Sequence, residues 1–154
     1  TAEAFAPIEG LRYFRTGDGP WQIAFYDLDW AFQTRSNCFF DLIGPEQTAQ
    51  IAPTIRWLFG IDDFRERLLT RYAELTETTL SDEHVTEKID EFRALLAPEI
   101  ARERAHWGGS EEGWNEQVDA LRANIADDYA AHTVRNLCDA LGVGEEERME
   151  YFGF

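Results

Sequence analysis

The sequence predicts a mainly α-helical protein with one short β-hairpin at its N-terminal end. Three observations lead to this fold class. A Gly-Asp-Gly-Pro turn at residues 17–20 separates two short segments rich in aromatic and branched side chains. From residue 51 onward, apolar residues recur every three or four positions, which is the period of an amphipathic helix. The 154 residues, 44% of them hydrophobic, are enough for one domain with its own core.

We expect residues 1–154 to form this single domain in three parts. The parts are a hairpin over 10–32 with strands at 11–16 and 21–27, an irregular loop over 33–50 and a helical part over 51–154. The chain opens TAEAFAPIEG, without an initiator Met and without a basic or apolar targeting segment. We therefore expect it to be a piece of a longer protein.

Capping and breaking residues divide the helical part into about five helices. Gly60 closes a short first helix, and the second begins near Asp62. Ser81 and Ser110 are placed to cap the next two long segments, because a serine hydroxyl accepts the first unpaired N–H groups of a helix. Gly142 marks the end of the longest helical segment, with a last turn after it.

Two features inside these segments predict interruptions. Pro98 favours the start of a separate short helix, since proline fits a first turn and not a helix interior. A one-residue slip in the apolar register predicts a bend near Ala130 in the helix that Ser110 begins. The predicted inward positions are Phe64, Leu68, Tyr72, Leu75, Thr79, Val85, Ile89, Phe92, Leu96, Trp114, Val118, Leu121, Ile125, Tyr129, Val134, Leu137 and Leu141. We also assign the five tryptophans to the core, with Trp57 and Trp107 packing helices onto the hairpin.

The chain is strongly acidic, with 30 Asp and Glu against 14 Lys and Arg and a formal net charge of −16. Such a surface repels phosphate backbones and anionic lipids, so we expect neither a nucleic acid nor a membrane partner. A basic partner would be attracted, although acidic residues also simply solvate helix faces. We expect Arg65, Arg67 and Arg71 to form exposed ion pairs that contribute little.

The cysteine and histidine residues are not spaced as metal ligands or as a nucleophilic pair. These residues are Cys38, Cys138, His84, His106 and His132. We expect two buried free thiols, with a disulfide left open, and we assign the three histidines to structure.

Asp27 and Asp29 stand out because they end an otherwise apolar strand, WQIAFYDLDWAF, at residues 21–32. Residues two apart in a strand point to the same face, so the two carboxylates would lie side by side and repel each other. A divalent cation removes this conflict, and Mg²⁺ prefers carboxylates with waters and phosphates completing its shell. The pair therefore suggests a Mg²⁺ site that carries a nucleoside triphosphate.

Other interpretations of this pair stay open. Either aspartate could accept backbone N–H groups at a strand end, and Arg12 or Arg15 on the first strand could form an ion pair with one of them. Asn37 and Asp41, a few residues further on, are expected to cap turns, or else to complete a metal shell.

The motifs around the pair resemble those of a known family. GDGPWQIAFYDLDWAF followed by SNCFF resembles the C-terminal half of the CotH family, which are atypical kinases named for a spore-coat protein. The segments WLFGIDDFRERLLTRYAEL, SDEHVTEKIDEFRALLAPEIARERAHW and EEGWNEQVDALRANI resemble further family segments. The resemblance extends over nearly the whole chain from Gly10 onward, and the Asp-x-Asp block is its most specific part.

This resemblance implies that the chain is the helical C-terminal lobe of a kinase-like fold. Asp27 would replace the metal-binding Asp of the kinase Asp-Phe-Gly motif, with Leu28 in place of the Phe and Asp29 as a second ligand or orienting partner. Mg²⁺ and ATP would be the cofactors of the full-length protein, whose missing N-terminal lobe would be a partner of this one. Substrates would be basic, Ser-rich coat or cell-surface proteins, which implies a spore-coat or cell-surface location.

The chain departs from the family pattern in ways that bear on activity. Family members carry a catalytic Asp, followed closely by an Asn, just before the first strand, but no Asp or Asn precedes Asp18 here and Gly10 stands where the Asn is expected. The nucleotide-binding Lys would lie upstream of this sequence, so we expect the fragment itself to be inactive, with no catalytic residue assigned. The alternatives are a non-catalytic pseudokinase domain for protein interaction, and a bare Ca²⁺ or Mg²⁺ site that stabilises a surface module.

Overall fold

The computed structural model describes residues 11–20, 22–25, 32 and 51–154. Most of these residues are helical, so the predicted mainly α class is confirmed. The predicted loop over 33–50 lies outside the described residues.

Two short strands precede the helices. β1 (Leu11–Phe14) and β2 (Gln22–Phe25) pair antiparallel, with Leu11 opposite Phe25 and Phe14 opposite Gln22. The turn between them contains Gly17 at a φ of 58°, a left-handed conformation that favours glycine. β1 ends two residues before the end of the segment predicted at 11–16.

Six helices follow in the described part of the chain. They are α1 (Ile51–Phe59), α2 (Asp62–Glu77), α3 (Asp82–Trp107), α4 (Glu111–Ala126), α5 (Tyr129–Leu141) and α6 (Glu145–Phe152). The predicted caps are confirmed, since the Ser81 hydroxyl accepts the His84 N–H at 3.2 Å and the Ser110 hydroxyl accepts the Gly113 N–H at 3.0 Å. Gly142 ends α5 in the left-handed conformation, as predicted.

The predicted helix break at Pro98 is wrong. α3 runs without interruption for 26 residues from Asp82 to Trp107, with Pro98 in its interior. Proline removes one helical hydrogen bond, the one to the carbonyl of Ala94, but the bonds on either side remain. α3 packs against α4, with contacts that include Arg93 to Asp119 and Arg122 to Asp90, and this packing supports the continuous helix.

The predicted long bent helix is instead two helices. α4 ends at Ala126, and Asp128 adopts a left-handed φ of 58° before α5 begins at Tyr129. Aspartate hydrogen-bonds locally and tolerates this conformation better than most residues, so the Asp127–Asp128 pair can separate the helices. α2 likewise ends earlier than predicted, at Glu77, which leaves Thr79 beyond the helix.

The buried core of the described residues is built from side chains of α1 to α5. Its most deeply buried side chains are Leu69, Ile125, Val134 and Cys138, each at most 1% exposed, and Phe59, Ile100, Leu137 and Ala140 complete it. The predicted inward positions Ile125, Val134 and Leu137 are confirmed. Leu69 was not predicted, because the face assigned to α2 ran through its neighbour Leu68.

Several residues predicted to be buried are exposed instead. On α3, Phe92 is 59% and Leu96 is 47% exposed, and the neighbouring Leu95 is 70% exposed. Trp57 and Trp107 are 68% and 77% exposed, so their predicted place in the core is wrong. Periodicity identifies the apolar face of a helix, but it does not show whether another element covers that face.

Candidate functional site

The predicted metal ligands Asp27 and Asp29 lie outside the described residues, as do Asn37 and Asp41. Their roles therefore stay predictions. The described residues that flank the pair are Phe25, which ends β2 two positions before Asp27, and Phe32, three positions after Asp29. The structure therefore describes residues on either side of the pair but not the pair itself.

The register of the hairpin bears on the predicted ion pair with arginine. Arg12 lies opposite Ala24, whereas Arg15 lies beyond the end of β1, towards the turn. The Asp-x-Asp segment follows Phe25 at the other end of the ladder. Because Asp27 and Asp29 lie outside the described residues, an ion pair of either aspartate with Arg12 or Arg15 stays a prediction.

Phe32, three positions after Asp29, contacts two of the helices. Its backbone carbonyl accepts a hydrogen bond from the side-chain amide of Asn124 on α4, at 2.6 Å. Its ring packs against Tyr129, the first residue of α5, with 5.8 Å between centroids. Phe32 also has a φ of 63°, which is uncommon for a residue with a large side chain. Phe32 itself is thus held at the junction of α4 and α5.

The same junction is held from α3. The Asp82 carboxylate accepts the backbone N–H of Ala130 at 2.8 Å, in the first turn of α5. A negative charge is favourable at this position, because the first N–H groups of a helix have no helical partner and carry partial positive charge. Arg135 donates to the Asp128 carboxylate at 2.9 Å, which holds the left-handed residue between the helices.

A groove of about 270 Å³ opens beside this junction. Three carboxylates line it, those of Glu77, Asp82 and Asp128, together with the rings of Phe152 and Phe154. Two of these carboxylates are already engaged, by Ala130 and Arg135. The groove therefore combines negative charge with apolar walls, which suits the aliphatic stem and positive end of a lysine or arginine side chain.

The histidine and cysteine residues behave as structural residues in the described chain. The ring of His106 packs edge-on against Trp107, and a ring nitrogen of His132 lies 3.2 Å from the Asn136 amide. Cys138 is a buried free thiol, and removal from water raises its pKa. Cys38 lies outside the described residues, so the expectation of a second free thiol stays open.

No group of three or more His, Cys, Asp or Glu that could hold a metal ion occurs within residues 11–20, 22–25, 32 and 51–154. The candidate donor set is thus the Asp-x-Asp pair itself, which offers only carboxylate oxygens. Hard oxygen donors fit Mg²⁺ better than a soft metal ion. As to membranes, none of the described helices combines the length and apolarity needed for a bilayer span.

Sequence patterns did not identify Asn124 or Phe32 as functional candidates. An asparagine near the end of a polar helix face carries no motif, and its partner lies 92 positions away. The one local signal was that an aromatic residue, Phe32, directly follows the Asp-x-Asp-Trp-Ala segment.

Comparison with known proteins finds one family. The family model described as CotH kinase protein matches residues 9–130, which include both strands, α1 to α4 and the first two residues of α5. No curated protein and no solved structure matches the chain.

Proposed function

The chain belongs to the CotH kinase protein family, as its motifs predict, and on this basis we propose that it is the helical C-terminal lobe of a Mg-ATP-dependent protein kinase. The observation that carries the proposal is the family match over residues 9–130, which includes the Asp-x-Asp pair and the helices that follow it. We propose that the remainder of the kinase, with the nucleotide-binding lysine, is a separate part of the same protein and that this chain alone is inactive.

Asp27 and Asp29 would hold Mg²⁺ in this proposal. When bound, the ion would neutralise charge on the β- and γ-phosphates of ATP. Asp27 is the first choice as ligand and Asp29 is the second ligand or an orienting partner. The protein's own contribution would be to keep the two carboxylates in place beside the phosphates.

The charge of the chain supports a basic protein substrate. A net charge of −16 raises the local concentration of a basic, Ser-rich protein and speeds its association. The groove lined by Glu77, Asp82 and Asp128 provides negative charge on the described surface for such a substrate. We propose coat or cell-surface proteins as the substrate class, in keeping with the family.

Phosphoryl transfer from labelled ATP to a basic Ser-rich peptide, by the full-length protein, tests the proposal. We expect Mg²⁺-dependent transfer that falls at least about 100-fold in Asp27→Asn, because metal contacts to the phosphates stabilise the transition state. Asp18→Asn is a matched control, since Asp18 lies in the exposed hairpin turn and the substitution removes the same charge. Equal transfer by Asp27→Asn and Asp18→Asn would contradict the role of Asp27.

A second function is favoured by the exposed apolar residues of α3. Phe92, Leu95 and Leu96 form a solvent-facing apolar stripe, and such patches commonly mark protein interaction sites. With no Asp or Asn before Asp18, a non-catalytic relative that acts as an interaction domain is the alternative. Absence of both ATP binding and transfer in a folded full-length protein would favour it.

A further inference from the structure

We propose that the outer face of α3 is a homodimer interface, on which a second copy of the protein lays its own α3 in antiparallel orientation. The outer face is the set of exposed residues Lys88, Phe92, Leu95, Glu99 and Arg102. A dimer of this kind does not depend on phosphoryl transfer, because none of these residues belongs to the proposed metal site. The partner of the apolar stripe on α3 would thus be a second copy of the same helix.

The inner side of α3 is occupied by α4, the described helix against which α3 chiefly packs. Arg93 donates to the Asp119 carboxylate at 2.6 Å. Arg122 donates to the Asp90 carboxylate at 3.0 Å. Each residue of a helix turns by about 100°, so Leu95 lies about 200° around the axis from Arg93. The outer face is therefore turned away from α4.

Large apolar side chains occupy the middle of this outer face. Phe92 is 59% exposed and Leu95 is 70% exposed, and Leu96 beside them is 47% exposed. Adjacent apolar side chains that remain this exposed commonly mark a protein interface. No described element covers them, so the apolar stripe is open to a partner.

The spacing of the outer face is that of a coiled-coil seam. Lys88, Phe92, Leu95, Glu99 and Arg102 follow one another at intervals of four, three, four and three residues, as the inward positions of a heptad do. In an antiparallel pair, Phe92 can lie against Leu95 of the other copy while Lys88 lies against Glu99 of the other copy. Two-fold symmetry repeats each contact, so the face is complementary to itself.

The charge around this face favours a second copy over a charged partner. Two chains with a net charge of −16 repel each other over most of their surfaces. Residues 88–104, however, contain four basic and four acidic side chains, so this stretch has no net charge. A second copy can approach along it without that repulsion, whereas a strongly basic or acidic partner finds no opposite net charge there.

The ion pairs on the outer face can be exchanged at little cost. Lys88 donates to Glu91 of the same helix at 2.7 Å, and Arg102 pairs with Glu99. All four side chains are exposed, and such pairs contribute little to stability in solution. Lys88 and Glu99 are therefore free to pair across the interface instead.

Sedimentation equilibrium of the full-length protein tests the proposal. We expect a reversible dimer with a Kd of about 10–100 µM, because a single helix face is a small interface. Leu95→Glu should raise this Kd at least about tenfold, since it places a charge in the apolar centre of the interface. Met149→Glu is the matched control, because it adds the same charge at a 52% exposed apolar position of α6 and should leave the Kd within about twofold.

Charge reversal tests the antiparallel register. Lys88→Glu and Glu99→Lys should each raise the Kd about tenfold, because each change brings like charges together twice across the two-fold axis. The variant with both changes should return to within about threefold of the wild type, since opposite charges then face each other again. Unchanged melting temperatures of the dilute variants would show that the fold is intact.

Two results would overturn the proposal. A wild-type protein that stays monomeric up to millimolar concentration excludes the homodimer and leaves the face to another occupant, such as a further part of the same chain. A dimer that Leu95→Glu and Met149→Glu affect equally uses a different surface. If the variant with both charge changes is weakened as much as the single ones, the antiparallel register is wrong. Phosphoryl transfer by the full-length protein is a separate measurement, so the proposed function stands or fails independently of these results.

Discussion

The guanidinium of Arg65 on α2 donates two hydrogen bonds to the carboxylate of Glu147 on α6, 82 positions later in the chain. Arg65 also lies over the ring of Phe59, 4.4 Å from its centroid. Helices α1, α2 and α6 therefore meet at the Arg65 side chain. From the sequence we expected Arg65 to form only an exposed ion pair. Both partners are about 27% exposed, so this pair is shielded from solvent more than the other arginine pairs of α2.

Replacement of Glu147 by Gln should lower the free energy of unfolding by about 1–2 kcal/mol at pH 7. A partly buried, bidentate ion pair contributes more to stability than an exposed one. Hydrogen bonds from Arg65 lower the pKa of Glu147 below its ordinary value of 4.5. The stabilisation by the Arg65–Glu147 pair is therefore complete above the pKa that Glu147 has in the unfolded chain. It is lost as the pH falls through the lower pKa that Glu147 has in the folded chain. Urea unfolding from pH 7 down to pH 3 measures this loss.

Glu146→Gln serves as the control for that experiment, because it removes the same charge from an exposed position of the same helix. If the difference in unfolding free energy between Glu147→Gln and Glu146→Gln stays constant down to pH 3, the ion pair of Glu147 with Arg65 is contradicted.

Leu69 and Leu95 offer a test of the observed core. Leu69 is fully buried and Leu95 is 70% exposed, so the same Leu→Ala change meets opposite surroundings. We expect Leu69→Ala to cost about 2–5 kcal/mol of unfolding free energy and Leu95→Ala less than about 0.5 kcal/mol. Urea denaturation of the 154-residue chain gives both values, and similar costs would show that α3 is covered in solution.

Pro98 lies inside α3, so its replacement should strengthen that helix. Pro98→Ala restores an N–H donor for the Ala94 carbonyl, but it also increases the conformational entropy of the unfolded chain. We expect a net stabilisation of about 1–2 kcal/mol. Pro53→Ala provides the comparison, because Pro53 is in the first turn of α1, where no helical bond is lost. A drop in melting temperature for Pro98→Ala would instead indicate that two helices meet at this proline.

The Cys138 thiol should react slowly with a disulfide reagent. Burial raises its pKa and limits access, so both the thiolate fraction and the collision rate fall. In a Cys38→Ser background at pH 8, we expect modification at least about tenfold slower in the native protein than in urea. Equal rates in the two conditions would mean that the core around α5 opens readily.

Local signals in the sequence predicted helix ends well. The caps at Ser81, Ser110 and Gly142 are confirmed because a cap depends on residues within one turn of it. Pro98 shows the limit of such reasoning. Its local preference favours a break, but the packing of α3 on α4 keeps the helix intact.

Long-range relationships could not be predicted in this way. Phe92 and Leu96 have the correct helical spacing for a core face, yet no described element covers them. The contacts Asn124–Phe32 and Arg65–Glu147 join residues more than 80 positions apart, for which a single sequence carries no pairing signal. Asp27 and Asp29 could be proposed as ligands because strand alternation places both on one face.

Calorimetric binding of Mg-ATP to the full-length protein, with and without Asp27→Asn, tests the central claim most directly. We predict binding that requires Mg²⁺ and weakens at least about tenfold in the variant, because one charged ligand of the ion is lost. Equal binding of nucleotide by wild type and Asp27→Asn would contradict the claim that the Asp-x-Asp pair holds the metal.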